Sequence, residues 1–154
     1  MALLVLALLV AGCGDDDEGG GDSGPAAQST GAAPPEADSL RSCLTKAKLE
    51  LKPGSEPATD AKGKTQAREG LEIADTTYLG YVQWPSKHLA DVYLSKDEPA
   101  AEKAQAEAEK FIESFGAKPA EYVRRERTMV LLFDDPPPTA AEVKPVVACA
   151  GSAG

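Results

Sequence analysis

His88, the only histidine of the chain, stands two residues after Ser86, and a hydroxyl beside an imidazole is where acyl-transfer chemistry begins. Two neighbours on one turn do not make a triad, and no Gly-x-Ser-x-Gly elbow occurs, so His88 reads as a strand-edge residue beside the turn at Trp84. A single histidine also leaves any zinc site dependent on carboxylates and cysteines; no metal and no cofactor are expected. Ala58 to Thr65 reads Ala-Thr-Asp-Ala-Lys-Gly-Lys-Thr, a relaxed phosphate-loop pattern with Ala in place of the first Gly. A phosphate cradle needs an apolar strand before it and a helix after it, and Pro53 to Pro57 is no strand, so this stretch reads as a solvated loop. Arg124, Arg125 and Arg127 form a small basic cluster interrupted by Glu126. Without flanking stacking aromatics it does not fit nucleic acid, and reads as a polar hairpin turn able to meet an anionic glycan or headgroup. Tyr78, Tyr81, Trp84 and Tyr93 gather the aromatics on one strand pair, a core whose exposed rings would form a candidate binding surface.

These residues need elements to hold them. Asp38 or Ser39 can cap a helix in which Leu40, Cys43, Leu44, Ala47 and Leu51 recur at helical spacing, stopped by Pro53 and Gly54. Residues 52–75 run polar and read as a long loop, a length that in a compact domain marks function or an element unseen. Thr76 to Trp84 and Leu89 to Ser95 are β-branched and aromatic runs joined by a turn at Pro85 and Ser86. Asp97 and Pro99 open a helix whose stripe is Ala101, Ala104, Ala108, Phe111, Ile112 and Phe115, closed by Gly116. Tyr122 to Arg125 and Thr128 to Phe133 form a second strand pair. Thr139 and Glu142 are spaced as a capping box for a last helix carrying Val143, Val146, Val147 and Ala150, with Pro145 implying a kink or a later start. The expected fold is α+β: a mainly antiparallel sheet of about four strands, order α-β-β-α-β-β-α, with helices packed on one face.

The chain has 154 residues and a formal net charge of −9. Gly14 to Asp38 holds seven acids, no base and no aromatic, leaving 18 acids against 16 bases in residues 39–154. A segment so poor in apolar surface reads as a disordered acidic tether with a reach of about 25 to 30 Å. An anionic surface repels it over roughly 8 Å. Asp15 to Glu18 reads as solvated spacer, since a calcium site needs fixed carbonyl ligands as well. Residues 39–151 are then one domain and 152–154 a tail.

Residues 3–13, Leu-Leu-Val-Leu-Ala-Leu-Leu-Val-Ala-Gly-Cys, are too short to span a bilayer, which takes roughly 20 apolar residues, and fit the about 7 to 15 of a signal h-region. The run and its small residues before a cysteine resemble the signal peptide and lipobox of bacterial lipoproteins. The resemblance covers residues 1–13 alone. It implies that residues 1–12 are removed, that Cys13 is acylated with palmitate-type chains, and that the mature chain is anchored outside the cytoplasm to a bacterial membrane. Only Met1 and Ala2 precede the run where a signal peptide carries Lys or Arg, which places the true start upstream. Gly14 replaces the Asp that holds such lipoproteins at an inner membrane, and the choice of membrane stays open. With Cys13 given to the lipid, Cys43 and Cys149 remain as a pair in an oxidising compartment. A disulfide between them is expected, closing a loop of roughly 107 residues and contributing at most about 5 kcal/mol.

Three function classes follow. The first is a non-catalytic accessory or binding module for an envelope protein, glycan or small ligand, using the Tyr78 to Tyr93 hairpin. The second is a structural spacer lipoprotein, and the third, an exported enzyme, ranks last for want of a nucleophile, base and oxyanion set.

Overall fold

A computed structural model describes residues 35–151. It is an α+β fold. The elements are α1 (Pro35–Lys46), β1 (Leu51–Lys52), β2 (Ala58–Thr59), β3 (Thr65–Gln66), β4 (Thr76–Gln83), β5 (Leu89–Ser95), α2 (Glu98–Ser114), a helical turn α3 (Pro119–Tyr122), β6 (Val123–Glu126), β7 (Met129–Phe133) and α4 (Ala140–Ala150). Five strands form one antiparallel sheet, β1-β4-β5-β7-β6, and β2 pairs with β3 as a separate hairpin. The sheet therefore has five strands where about four were expected, because β1 adds an edge beside β4.

Helices cover both faces of the sheet, which corrects the expectation of one covered face. The period-2 alternation of the strands shows why. Ala90, Val92 and Leu94 of β5, with Met129, Leu131 and Phe133 of β7, pack with Leu40 and Leu44 of α1 and Val143 and Val146 of α4. The alternate residues Tyr93, Val130 and Leu132 pack with Ala101, Ala104, Ala108 and Ile112 of α2. A central strand covered on both sides is apolar throughout, and all seven residues of β5 are buried. In β4 the register shifts between Tyr78 and Gly80, so that Leu79 and Val82 both join the α1/α4 core. Only glycine fits that bulge: Gly80 has φ +121, and a Cβ there would lie 1.9 Å from the Lys52 carbonyl oxygen.

The helix ends explain the remaining differences. Pro35 opens α1 ahead of the acidic Glu36 and Asp38, and Ala37 is fully buried, so the folded unit takes in residues read as tether. The same helix stops at Lys46, not at Pro53. Lys48 adopts φ 60, its N–H bonds to the Thr45 carbonyl, and the Leu49 N–H bonds to the Leu44 carbonyl 2.9 Å away, a Schellman motif. Lysine in the place usually held by glycine hides the stop and frees Leu51 for β1. At α4 the capping box forms as its spacing predicts: Thr139 accepts from the Glu142 N–H, and Glu142 accepts from the Thr139 N–H. Pro145 sits inside this helix, where its ring removes only the bond to the Ala141 carbonyl, on an exposed residue. Cys43 on α1 and Cys149 on α4 are joined in a disulfide, Cα atoms 5.5 Å apart across 106 residues of sequence. Among the described residues no helix is long and apolar enough to cross a membrane.

Candidate functional site

Asp91 stands within β5, flanked along the strand by the apolar Ala90 and Val92, and is itself buried. An isolated carboxylate there would cost several kcal/mol, so the fold must bring it a cation. The cation is Arg68, from the segment read as a long loop. That segment is a strap across the α2 face. The β2–β3 hairpin starts it, held to β4 by the Gln83 side-chain amide donating to the Thr59 carbonyl at 2.6 Å. The Arg68 N–H then donates to the Gly54 carbonyl at 2.7 Å, an approach so close that a Cβ on Gly54 would meet the Arg68 carbonyl oxygen at 2.1 Å.

From this anchorage the guanidinium forks onto two carboxylates. Nε and Nη2 donate to the two oxygens of Asp91 at 2.8 and 2.7 Å, while Nη1 and Nη2 donate to those of Asp134 at 2.6 and 2.7 Å. Tyr78 Oη donates to Asp91 at 3.0 Å, the Leu71 N–H donates to Tyr93 Oη at 2.6 Å, and the Arg68 cation lies 6.0 Å over the Tyr81 ring. Burial works against the Arg68 charge, but Asp91 and then Asp134 outweigh it and hold the guanidinium ionised. Burial, reinforced by Asp91, raises the Tyr78 hydroxyl and keeps it a donor; burial pushes Tyr93 up to about 12 against the opposing Leu71 N–H. The result is a rigid group of paired side chains: Asp91 accepts three bonds in all, which engage both its oxygens.

The clamp forms one wall of a cleft of about 600 Å³, with Leu132 on the sheet below and Ile112, Phe111 and Phe115 of α2 opposite. Phe111 is 38% and Phe115 71% exposed, their rings edge-to-face with centroids 5.0 Å apart. Both were expected within the buried stripe of α2. Ile112 is the last α2 residue in the buried core; Phe115 follows it at the helix's C-cap and Phe111 flanks it, so both line the cleft. Glu69, Asp134, Asp135 and Tyr122 complete the polar part of the rim. Lys62 reaches Asp135 from outside at 2.6 Å.

The residues singled out by type fall elsewhere. Tyr81, Trp84 and Tyr93 are buried and Tyr78 half-buried, so the aromatic hairpin is core and not an exposed binding surface; both sheet faces are covered, leaving the rings no route out. Arg124 projects alone from the edge strand, Arg125 donates to Gln105 at 2.9 Å, and Arg127 lies 3.6 Å from Glu98, because strand alternation and the turn send the three apart. Ala58 to Thr65 is the β2–β3 hairpin, with no helix after it to aim amides at a phosphate. Ser86, His88 and Glu142 do meet, but both Ser86 Oγ and Glu142 contact the same nitrogen, Nδ1, each at 3.1 Å. A relay needs nucleophile and carboxylate on opposite nitrogens, and here Ser86 donates directly to Glu142. With the Trp84 indole N–H donating to the Glu142 carbonyl at 2.8 Å, this is a clasp between the β4–β5 turn and α4. Cys13 and Asp15 to Glu18 lie outside the described residues. Among the described residues, no three His, Cys, Asp or Glu side chains converge as metal ligands.

Arg68, Asp91 and Asp134 escaped reading by residue type, although a lone Asp inside Leu-Ala-Asp-Val-Tyr-Leu was a signal that a buried partner must exist. Compared with known proteins, the chain matches no family model, no curated protein and no solved structure.

Proposed function

We propose that the protein is a lipoprotein anchored through Cys13 on the extracytoplasmic side of a bacterial membrane, and that its domain is a non-catalytic binding module taking a ligand in the cleft beside Arg68. The observation that carries this reading is the pairing of a rigid, fully hydrogen-bonded charge clamp with two uncovered phenylalanine rings across a cleft of about 600 Å³. Ligand sites are concave, largely apolar and pre-formed with a few fixed polar groups, and a volume of several hundred Å³ suits a small molecule or one or two side chains of a larger partner. Exposed rings on a helix end add nothing to the fold's own core. The lipobox-like run of residues 3–13 and the Cys43–Cys149 disulfide support an exported, oxidising setting.

Two measurements test the two halves of the proposal. The intact mass of the chain extracted by detergent from its host membrane is expected to match cleavage before Cys13 plus acyl chains; a full-length, unacylated chain overturns the anchor. For the cleft, amide shifts of the ¹⁵N-labelled full chain are followed against a fragment library holding cationic, neutral and anionic members. Perturbations gathered on Gly70, Leu71 and Ala117 are expected. A library that leaves these amides unmoved rejects the binding module and leaves the spacer lipoprotein.

A further inference from the structure

The charges around the cleft specify more than its existence. Four carboxylates line it, Glu69, Asp91, Asp134 and Asp135, against one cation, Arg68. Arg68 already spends four N–H bonds on Asp91 and Asp134, which leaves it little to offer an anion. Asp134 keeps part of its carboxylate open, its side chain 28% exposed, and Asp135 is 60% exposed with Tyr122 Oη 3.3 Å from it. Lys62 offsets one of these charges from the outer side without lining the cleft. The side facing a ligand is thus anionic.

Aromatic rings share the cleft. Phe111 and Phe115 are uncovered, and Tyr122 lines the same cleft. An aromatic face attracts a cation through its quadrupole, and rings set beside carboxylates suit an alkylated ammonium, whose methyl groups need apolar contact while its charge needs compensation that does not require a hydrogen-bond donor. An anion would meet the exposed oxygens of Asp134 and Asp135 and the nearby Glu69, while a neutral apolar ligand would strip water from the open parts of Asp134 and Asp135 without adding a charge to face them.

We infer that the cleft binds an organic cation of the alkylammonium class, its methylated nitrogen held among the Phe111 and Phe115 rings and the Asp134, Asp135 and Tyr122 rim of the same cleft. This rests on the binding reading above. The test is calorimetric titration of the full chain with choline and with its uncharged isostere 3,3-dimethyl-1-butanol. Choline is expected to bind, and the isostere at least tenfold more weakly. Phe115→Leu, at an exposed position where the fold is not at stake, keeps apolar bulk and loses the ring, and is expected to weaken choline by roughly two- to fivefold. Asp135→Asn is expected to weaken choline and leave the isostere unchanged. Equal affinity for choline and its isostere, or tighter binding of phenylacetate than of choline, overturns the cation while leaving a working cleft; absence of binding by all three, together with unmoved cleft amides, overturns the binding module as well. Glycerophosphocholine presents the same cation on a headgroup: tighter binding than choline assigns a lipid source, weaker binding a free solute.

Discussion

The two faces of the sheet share one central strand and are built on different physics. On the α1/α4 face, Ala90, Val92 and Leu94 of β5 meet a cluster that is apolar throughout, stapled by Cys43–Cys149. On the α2 face, Leu89, Asp91 and Tyr93 of the same strand meet a strap, an ion triad and a cleft. The first face is stabilised by area removed from water, a term that degrades gradually when a methyl group is lost. The second buries apolar area as well, through Tyr93, Val130, Leu132 and the α2 alanines, but its strap holds only while each charge keeps its partner, because the desolvation of a buried ion is offset by the opposing ion and its hydrogen bonds. A fold that puts its buried charge on one face and its staple on the other can hold a rigid polar wall in a cleft without compromising its main core.

The largest effect should come from separating that triad. Arg68→Met leaves Asp91 buried and uncompensated, and is expected to lower stability by about 3–5 kcal/mol in urea unfolding. Arg68→Met with Asp91→Leu removes both members and should recover at least half of that loss, since Asp134 is open enough to be solvated. A double variant as unstable as the single one would mean that the strap's packing, not the charge, is what matters. The other face is probed by Cys43→Ala with Cys149→Ala. Loss of the cross-link is expected to cost about 2–4 kcal/mol, through the entropy of the unfolded chain, while amide shifts around Arg68 and Gly70 stay in place. Movement of those shifts would show that the faces are not independent.

The apolar packing of both faces was more legible in sequence than the clamp, and the reason is physical. Periodicity reports apolar burial, so the α2 alanines, the β4–β5 and β6–β7 pairs and the Thr139–Glu142 box could be read from spacing alone. The clamp could not, because Arg68, Asp91 and Asp134 lie 23 and 43 residues apart and only the sheet register and the strap bring them together. Where a local rule was broken, local reading failed too: the left-handed Lys48 ended α1 without a glycine, and the Gly80 bulge changed which side of β4 faces which helix. Residue types most often used in catalysis pointed to the wrong place. His88 and Ser86 fasten a turn, and the charges that shape the cleft sit on residues with no motif.

A smaller effect belongs to that fastening. Burial pushes Glu142 up, but hydrogen bonds from Ser86, from the Thr139 N–H and hydroxyl, and from His88 outweigh it and bring it down to about 2 from 4.5. Because the folded value is the depressed one, the stabilisation is complete above 4.5 and is lost as pH falls from there toward 2. Thermal stability should therefore fall across that window, and Glu142→Gln, which can still close the capping box, should flatten this part of the profile while costing about 1 kcal/mol at neutral pH through loss of the charged acceptor for Ser86 and Thr139. An unchanged acid limb in Glu142→Gln would assign the pH dependence to other carboxylates.

The smallest change in stability is expected where the difference between the faces is sharpest. Phe115 is 71% exposed at the C-cap of α2, so Phe115→Ser removes little buried area and should change stability by no more than the ±0.5 kcal/mol or so of ordinary surface substitutions. Leu44→Ala, in the fully buried α1/α4 core, should instead cost about 2–5 kcal/mol. Two apolar residues, two outcomes, and the contrast bears on the proposed function: an apolar side chain that the fold does not need, lining a cleft, is free to serve as a contact surface. If Phe115→Ser proved as costly as Leu44→Ala, Phe115 would belong to the core of the α2 face, and the cleft would lose the wall on which the proposed ligand depends.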